Sequence, residues 1–326
     1  MAGVSETRTI DALLTTTLAY HSKQMRDQIF DDYPLLSWFD GRLGRVMRPN
    51  RSLKRMQAGG ESIVEHLMYE QNSTIDSQSG SAVIDTTPQE GMTIARYNWK
   101  YYAGAVTITW PERNANRGEE KLISLLGAKT NQAVMSFRDR LSVDAWGDGT
   151  GNGSQNLTGM QAHGSTTTTT GGIAPGTYSW WQANTSTSVG SFAANGESEM
   201  RTMYNNISFG TQKPEIIFCD QTTHEYFEAS QTDRRRYTSE RVANAGFDNI
   251  MFKSAPVVFD RDCPSGSMYF MNPDVWSWVV DPDADVTTGE FVTPYDHATS
   301  TAKILFQGNL TVNNRRKVGV LSGITA

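Results

Sequence analysis

"ARYNWKYYAGAVTITWPERNANRG", residues 95–118, changes its apolar parity part-way along. Ala95, Tyr97, Trp99 and Tyr101 alternate with Arg96, Asn98 and Lys100, the period-two pattern of a strand with one covered face. After Gly104 the apolar set moves to Val106, Ile108 and Trp110. A one-residue slip sends every side chain to the opposite face, so the shift predicts a bend or bulge with Gly104 as its hinge. Upstream, "GGESIVEHLMYE" (59–70) is a second strand-like run, and the polar, turn-rich "QNSTIDSQSGSAVIDTTPQEG" (71–91) joins the two into a long hairpin with a loose tip. An isolated two-stranded hairpin is marginal in water. Its aromatic face therefore needs a cover, either the body of the protein or a neighbouring copy, and a long tip without an apolar anchor favours the neighbour.

Downstream, "NRGEEKLISLLGAKTNQAVMSFRDRLSVDAWGDG" (116–149) predicts one long helix. Asn116 and Glu119 fit a capping box, Glu119 and Glu120 suit the positive end of the helix dipole, and Gly147 closes the other end. Leu122, Leu126, Ala133, Phe137 and Leu141 form its apolar stripe. At about 1.5 Å per residue such a helix spans roughly 40 Å, the length of a spine. A Gly/Thr/Ser-rich stretch follows, with Trp180 and Trp181 anchoring the chain where it rejoins a core. Then "NGESEMRTMYNNI" and "QTTHEYFEAS" read as helices, while "PEIIFCD", "APVVFD" and "SMYFMNPDVWSWVV" read as strands of a smaller mixed unit. In the tail Ile304, Phe306, Leu310, Val312, Val318 and Val320 share one parity, and "NNRR" (313–316) supplies a turn.

The segment before the hairpin reads as an arm. A helical stretch over 10–30 precedes "DDYPLLSWFDG", whose Leu35, Leu36, Trp38 and Phe39 make an apolar anchor. Immediately after it, Arg42, Arg45, Arg48, Arg51, Lys54 and Arg55 form a basic stripe without an acid. Between Met56 and Ala95 there is no Lys or Arg, whereas Glu61, Glu65, Glu70, Asp76, Asp85 and Glu90 lie there. The two blocks are electrical complements. They can join one subunit to the next; the stripe can instead meet nucleic acid or be a solvated face. Arg234, Arg235 and Arg236 form a second basic cluster.

Over 326 residues the formal net charge is -6, and the pI near 5.4 argues against a protein that coats DNA with its whole surface. Mean hydropathy of -0.48 and the absence of a long apolar run predict no membrane span. The N-terminal stretch lacks the pattern of a signal peptide, so folding in a cytoplasm is the expectation. Cys219 and Cys263 have no CxxC partner and are expected as buried thiols. Catalytic and cofactor motifs are missing. "HEYFE" places Glu228 where a zinc-protease helix needs its second histidine after His224 and Glu225, and the loop from Asp148 ends on Gly159 where a calcium loop needs a bidentate glutamate. GxxxxGK[ST], GxGxxG and GxSxG do not occur. The residues therefore predict no cofactor, no metal and no enzyme.

The order of parts, from an arm through "GGESIVEHLMYE" and "ARYNWKYYAGAVTITWPERNANRG", a spine helix ending "WGDGTG", a mixed domain with "GFDNIMFKSAPVVFDRDCPSGSMYFMNP", to a closing "GNLTVNNRRKVGVLSGITA", resembles the tailed-bacteriophage major capsid protein family. The resemblance implies an α+β, Hong Kong 97-like fold: an N-arm (1–58), an extended E-loop hairpin (59–103), a P-domain (104–192 with 289–326) carrying spine helix 118–146, and an A-domain (193–288). It further implies self-association into hexamers and pentamers of an icosahedral head around double-stranded DNA, assembly in a host bacterial cytoplasm and residence in the virion. A portal, and in some cases decoration proteins, would be partners. Some relatives weld the hairpin to a neighbour through a lysine, but none lies between Lys54 and Lys100, so a non-covalent shell is expected. The short arm implies a separate scaffolding protein. The alternatives are an encapsulin-like nanocompartment and, from another class, a carbohydrate-binding β-rich module.

Overall fold

A computed structural model describes residues 33–40, 53–81, 83–115, 119–231, 250–293 and 298–326. The expected arm helix over 10–30, Arg42, Arg45, Arg48 and Arg51, the expected helix cap at Asn116, and Arg234 to Arg236 lie outside the described residues.

In chain order the strands are β1 (Lys54–Met56), β2 (Ser62–Met68), β3 (Met92–Asn98), β4 (Lys100–Thr109), β5 (Asn184–Ser186), β6 (Gly190–Ser191), β7 (Ile216–Cys219), β8 (Ile250–Phe252), β9 (Ala255–Phe259), β10 (Met268–Met271), β11 (Trp276–Val280), β12 (Thr287–Thr288), β13 (Thr299–Val312), β14 (Gly319–Leu321) and β15 (Ile324–Thr325). Two larger sheets divide most of them. One runs β1-β11-β13-β12 with β4 added along β13, and the other runs β5-β14-β10-β7-β9-β8.

The long helix runs from Glu119 to Trp146. Its Phe137 and Leu141 pack with Val106, Ile304 and Phe306 from one face of β4 and β13, and Ala133 lies half-buried beside them. This continues the apolar stripe read from the sequence; the side chains of Leu122 and Leu126 are outside what is described. At the C-terminal end the N–H of Gly147 donates to the carbonyl of Asp144 at 3.1 Å, closing the last turn. The short helix Pro34–Phe39 buries Leu35, Trp38 and Phe39 in the same core, so the anchor of the arm is seated as its composition predicts. A second core lies around the six-stranded sheet. The helix Glu197–Asn206 contributes Met200, Met203 and Tyr204 to it, and the helix Gln221–Ser230 contributes Phe227.

Sheet membership crosses the boundaries expected from sequence. Strand β11, inside the expected 193–288 unit, pairs with β1 and β13 in the first sheet. Strand β14, from the tail, pairs with β10 and β5 in the second. The tail thus stitches both sheets together. Its strands β13 and β14 are separated by the turn at Asn314, whose side chain accepts from the N–H of Arg316 at 3.2 Å.

Strands β2 and β3 form the hairpin, in register from Ser62 opposite Asn98 to Met68 opposite Met92. Its aromatic face is covered by the same chain, which corrects the expectation of a neighbour there. Ile63, Leu67, Ala95, Tyr97 and Trp99 bury against Ile173, Trp181 and Val279. The Gly/Thr-rich stretch supplies this lid because it can approach closely: the N–H of Arg96 donates to the carbonyl of Gly171 at 2.9 Å. A Cβ on Gly171, whose φ is +62°, would stand 2.7 Å from the Cβ of Ala95.

The change of face also falls elsewhere than expected. Trp99 is buried, Tyr101 is 69% exposed, and Val106 and Ile108 are buried, so the inward set switches where β3 gives way to β4. Gly104 lies inside β4 opposite Ile304, in an unbroken ladder with β13, and a Cβ there would meet the Phe137 ring at 3.3 Å. Its small size serves the approach of the long helix. Trp110, expected on the inward face, opens a short helix and is 61% exposed.

Candidate assembly surface

The hairpin tip is the part of the described chain with least of its own structure. From Glu70 to Glu90 nearly every described residue is exposed, Ile75, Val83 and Ile84 by 80%, 93% and 69%. Local polar contacts shape it. Asn72 and Asp85 each accept from the N–H and hydroxyl of a threonine two residues on, Ser73 donates to Gln89 at 2.9 Å, and the Tyr69 hydroxyl donates to the carbonyl of Glu90 at 2.9 Å. The bonds from Thr87 hold the Asp85 carboxyl below its ordinary pKa. At the root of the tip, Tyr69 stacks on Trp180 with ring centres 5.1 Å apart. Below that stack the hairpin is held firmly: the Tyr97 hydroxyl donates to the carbonyl of Val312 at 3.0 Å and the Trp99 indole to that of Gly60 at 2.8 Å.

The charges of the two complementary blocks divide in an informative way. Arg55 Nη2 lies 2.7 Å from Glu65 Oε1, and the hydroxyl of Thr311 donates to the same oxygen at 3.0 Å. Lys54 pairs with Asp285 and stands 3.8 Å from Asp40. Both basic residues at the described end of the stripe are therefore paired within the chain, and Glu65 is turned to the body. Glu61, Glu70, Asp76, Asp85 and Glu90 are exposed and make no ion pair among the described residues. An acidic ribbon with exposed aliphatic side chains and no cation of its own is left facing outward.

Sequence reasoning missed the most unusual charge in the fold. Arg315, read as part of a turn, is fully buried, and its guanidinium donates to the carbonyls of Ala162, His163 and Thr168 at 3.1 Å each and to that of Ser165. It clamps the loop that begins the hairpin lid. Burial lowers its pKa to about 10, which leaves it charged at neutral pH. His163 is buried between Tyr97 and Trp276, and neither ring nitrogen makes a hydrogen bond. Burial and then the nearby Arg315 cation lower its pKa to about 3, so the ring is neutral.

The residues weighed for chemistry are placed quietly. His224 lies against Phe259 with ring centres 5.7 Å apart, and burial lowers its pKa. Asp148 accepts from the N–H and hydroxyl of Thr150 in a local turn that continues through Asn152 and Gly153 at positive φ. Cys219 and Cys263 are buried free thiols. Among the described residues no three His, Cys, Asp or Glu side chains converge to hold a metal, and no helix is long and apolar enough to cross a membrane.

No family model and no curated protein sequence matches the chain. Solved structures do. The capsid subunit of cyanophage A-1(L) superimposes with a TM-score of 0.64 at 14% identity, covering 94% of this chain and 96% of that one. The capsid of a native GTA particle gives 0.60 at 11% identity over 93% and 94%. The holo-SrpI encapsulin of Synechococcus elongatus gives 0.54 at 11% identity over 92% and 96%. The α+β chain thus has the fold of these shell subunits along nearly its whole length.

Proposed function

We propose that the protein is a major capsid protein that self-assembles through hexamers and pentamers into the icosahedral head of a tailed bacteriophage, around double-stranded DNA. The observation that carries this reading is the agreement with phage-type capsid subunits over more than nine-tenths of both chains. The hairpin supports it from the physics. Its base is covered by the chain's own body, but its tip exposes aliphatic side chains and unpaired acids over about twenty residues, a surface that gains burial and counter-charge only on a partner. The role is structural, without catalysis, and the partners that follow from it are other copies of the chain, a portal, a separate scaffolding protein, the packaged genome and, on the outer face, decoration proteins. In this reading 59–103 acts as the E-loop, Glu119–Trp146 as the spine of a P-domain, and the six-stranded sheet as the centre of an A-domain.

The encapsulin likeness favours a second reading, a nanocompartment with a protein cargo. Negative-stain microscopy of the overexpressed full chain tests both against a monomeric module. Closed shells, tubes or rings are expected, and dispersed single subunits at high concentration would overturn the proposal. Particles purified from the native source should contain DNA and a portal; a cargo enzyme in their place selects the nanocompartment.

A further inference from the structure

Around the helix Glu197–Asn206 five cations gather from three separate parts of the chain. Arg201 and Asn205 share one face of that helix, one turn apart. Lys253, in the turn between β8 and β9, reaches Asn205 Oδ1 at 2.6 Å and lies over the Tyr204 ring at 4.4 Å. Lys317, before β14, bonds Gln212 and stands 5.6 Å from the centre of the Phe209 ring, while Lys213 follows Gln212 directly. Arg316 is exposed beside Lys317. The loop joins them, since Phe209 and Gln212 exchange backbone hydrogen bonds at 2.9 and 3.0 Å.

Among the described residues no carboxylate forms an ion pair with Arg201, Lys213, Lys253, Arg316 or Lys317. Glu197, one turn before Arg201, is engaged by Gln231 Nε2 at 2.6 Å. Burial, then Arg201 and Lys213, depress the pKa of Lys253, so like charges face each other there. In a protein of net charge -6 such a concentration is locally unfavourable and is relieved by a polyanion.

We infer that Arg201, Lys213, Lys253, Arg316 and Lys317 form a contact site for the phosphate backbone of nucleic acid. The ligand must be rich in acceptors, because the site presents ammonium and guanidinium donors with side-chain amides at Asn205 and Gln212. Apart from Phe209 it has no large exposed apolar side chain with which to anchor a folded protein. Binding would be insensitive to base sequence and strongly dependent on salt, as phosphate contacts release counterions. The inference rests on the shell reading only for the identity of the nucleic acid that the protein meets.

The test uses the full chain and a labelled duplex of random sequence, titrated from about 50 mM to about 200 mM salt, where phosphate-driven binding falls steeply. The triple variant Arg201→Gln, Lys213→Gln, Lys253→Gln is compared with Arg96→Gln, Arg138→Gln, Lys303→Gln, which removes equal charge from exposed positions elsewhere. The first should bind at least tenfold more weakly at the lowest salt, and its salt slope should shrink by up to about 2.7, at roughly 0.9 for each phosphate that is no longer neutralised. The second should retain the wild-type slope. Equal slopes in all three proteins overturn the site. So does a patch variant that binds the duplex normally and fails only to assemble, because the cations then serve a contact between subunits. Wild-type protein that binds DNA through the patch yet forms no shells would sink the capsid reading and leave this one standing.

Discussion

Arg55 and Glu65 face each other across 2.7 Å within one chain, and the same carboxylate oxygen accepts from Thr311 of β13. The basic stripe and the acidic hairpin therefore meet first at the hairpin root, where the pair fixes the hairpin against the body. Arg55 is 40% exposed, so solvent screening keeps the interaction small. A double-mutant cycle of Arg55→Ala and Glu65→Ala, followed by urea denaturation, should give a coupling of about 0.5 kcal/mol. Single-variant effects that simply add would show that the pair contributes nothing to stability.

The elements that a one-dimensional pattern can carry were legible: the long helix from its stripe and its closing Gly147, the hairpin from its alternation, the arm anchor from Leu35, Trp38 and Phe39. What failed was the assignment of faces. Tyr101 continues the parity of Tyr97 and Trp99, but the chain leaves the hairpin ladder after Asn98 and pairs with β13 from Lys100 onward. A new strand partner redefines which side is inside, and nothing local to Gly104 signals it. The cover of the hairpin was misassigned for a related reason. Trp180 and Trp181 announced an anchor without saying what they anchor, and pairing them with Ile63 and Ala95 needs contacts between segments far apart in the chain. Arg315 could not be foreseen, since its partners are backbone carbonyls and carry no residue code.

Arg315 makes its own prediction. Replacing it with Met removes the guanidinium donors from the carbonyls of Ala162, His163, Ser165 and Thr168; Ala162 keeps the N–H of Ser165, and an unsatisfied buried acceptor such as that of His163 costs about 1–3 kcal/mol. The variant should be destabilised by roughly 3 kcal/mol or more in urea denaturation. Arg315→Lys should recover little of this, because a point-like ammonium cannot reach groups that the planar fork spans. Wild-type stability in Arg315→Lys would show that charge alone is what the site needs.

His163 gives a pH dependence with a definite sign. Its pKa is about 3 in the folded protein and about 6.5 in an unfolded chain, so below pH 6.5 the unfolded state binds the extra proton. The stability it contributes is complete above pH 6.5 and is lost as the pH falls towards 3, with a slope approaching about 1.4 kcal/mol per pH unit. His163→Phe keeps the ring contacts with Tyr97 and Trp276 and breaks no hydrogen bond of the imidazole. Urea denaturation at pH 7, 6, 5 and 4 should therefore show a shallower acid loss in the variant. Parallel profiles would mean that the ring is solvated or titrates normally.

Deleting residues 72–90 separates folding from assembly. The segment buries almost nothing in the single chain, and its hydrogen bonds are local, whereas the root below it keeps the stack of Tyr69 on Trp180 and the full ladder from Ser62 to Met68. Removing it takes away exposed apolar surface and acids without opening a cavity, so the melting temperature of the dispersed subunit should change by less than about 2 °C, the shift expected for a few tenths of a kcal/mol. If a neighbouring copy supplies the missing burial, the same deletion should abolish stable shells in negative-stain images while hexamer-sized or smaller species remain soluble. Normal shells from the shortened chain would place the adhesive surface elsewhere, and a large drop in subunit stability would show that the tip folds back on its own body.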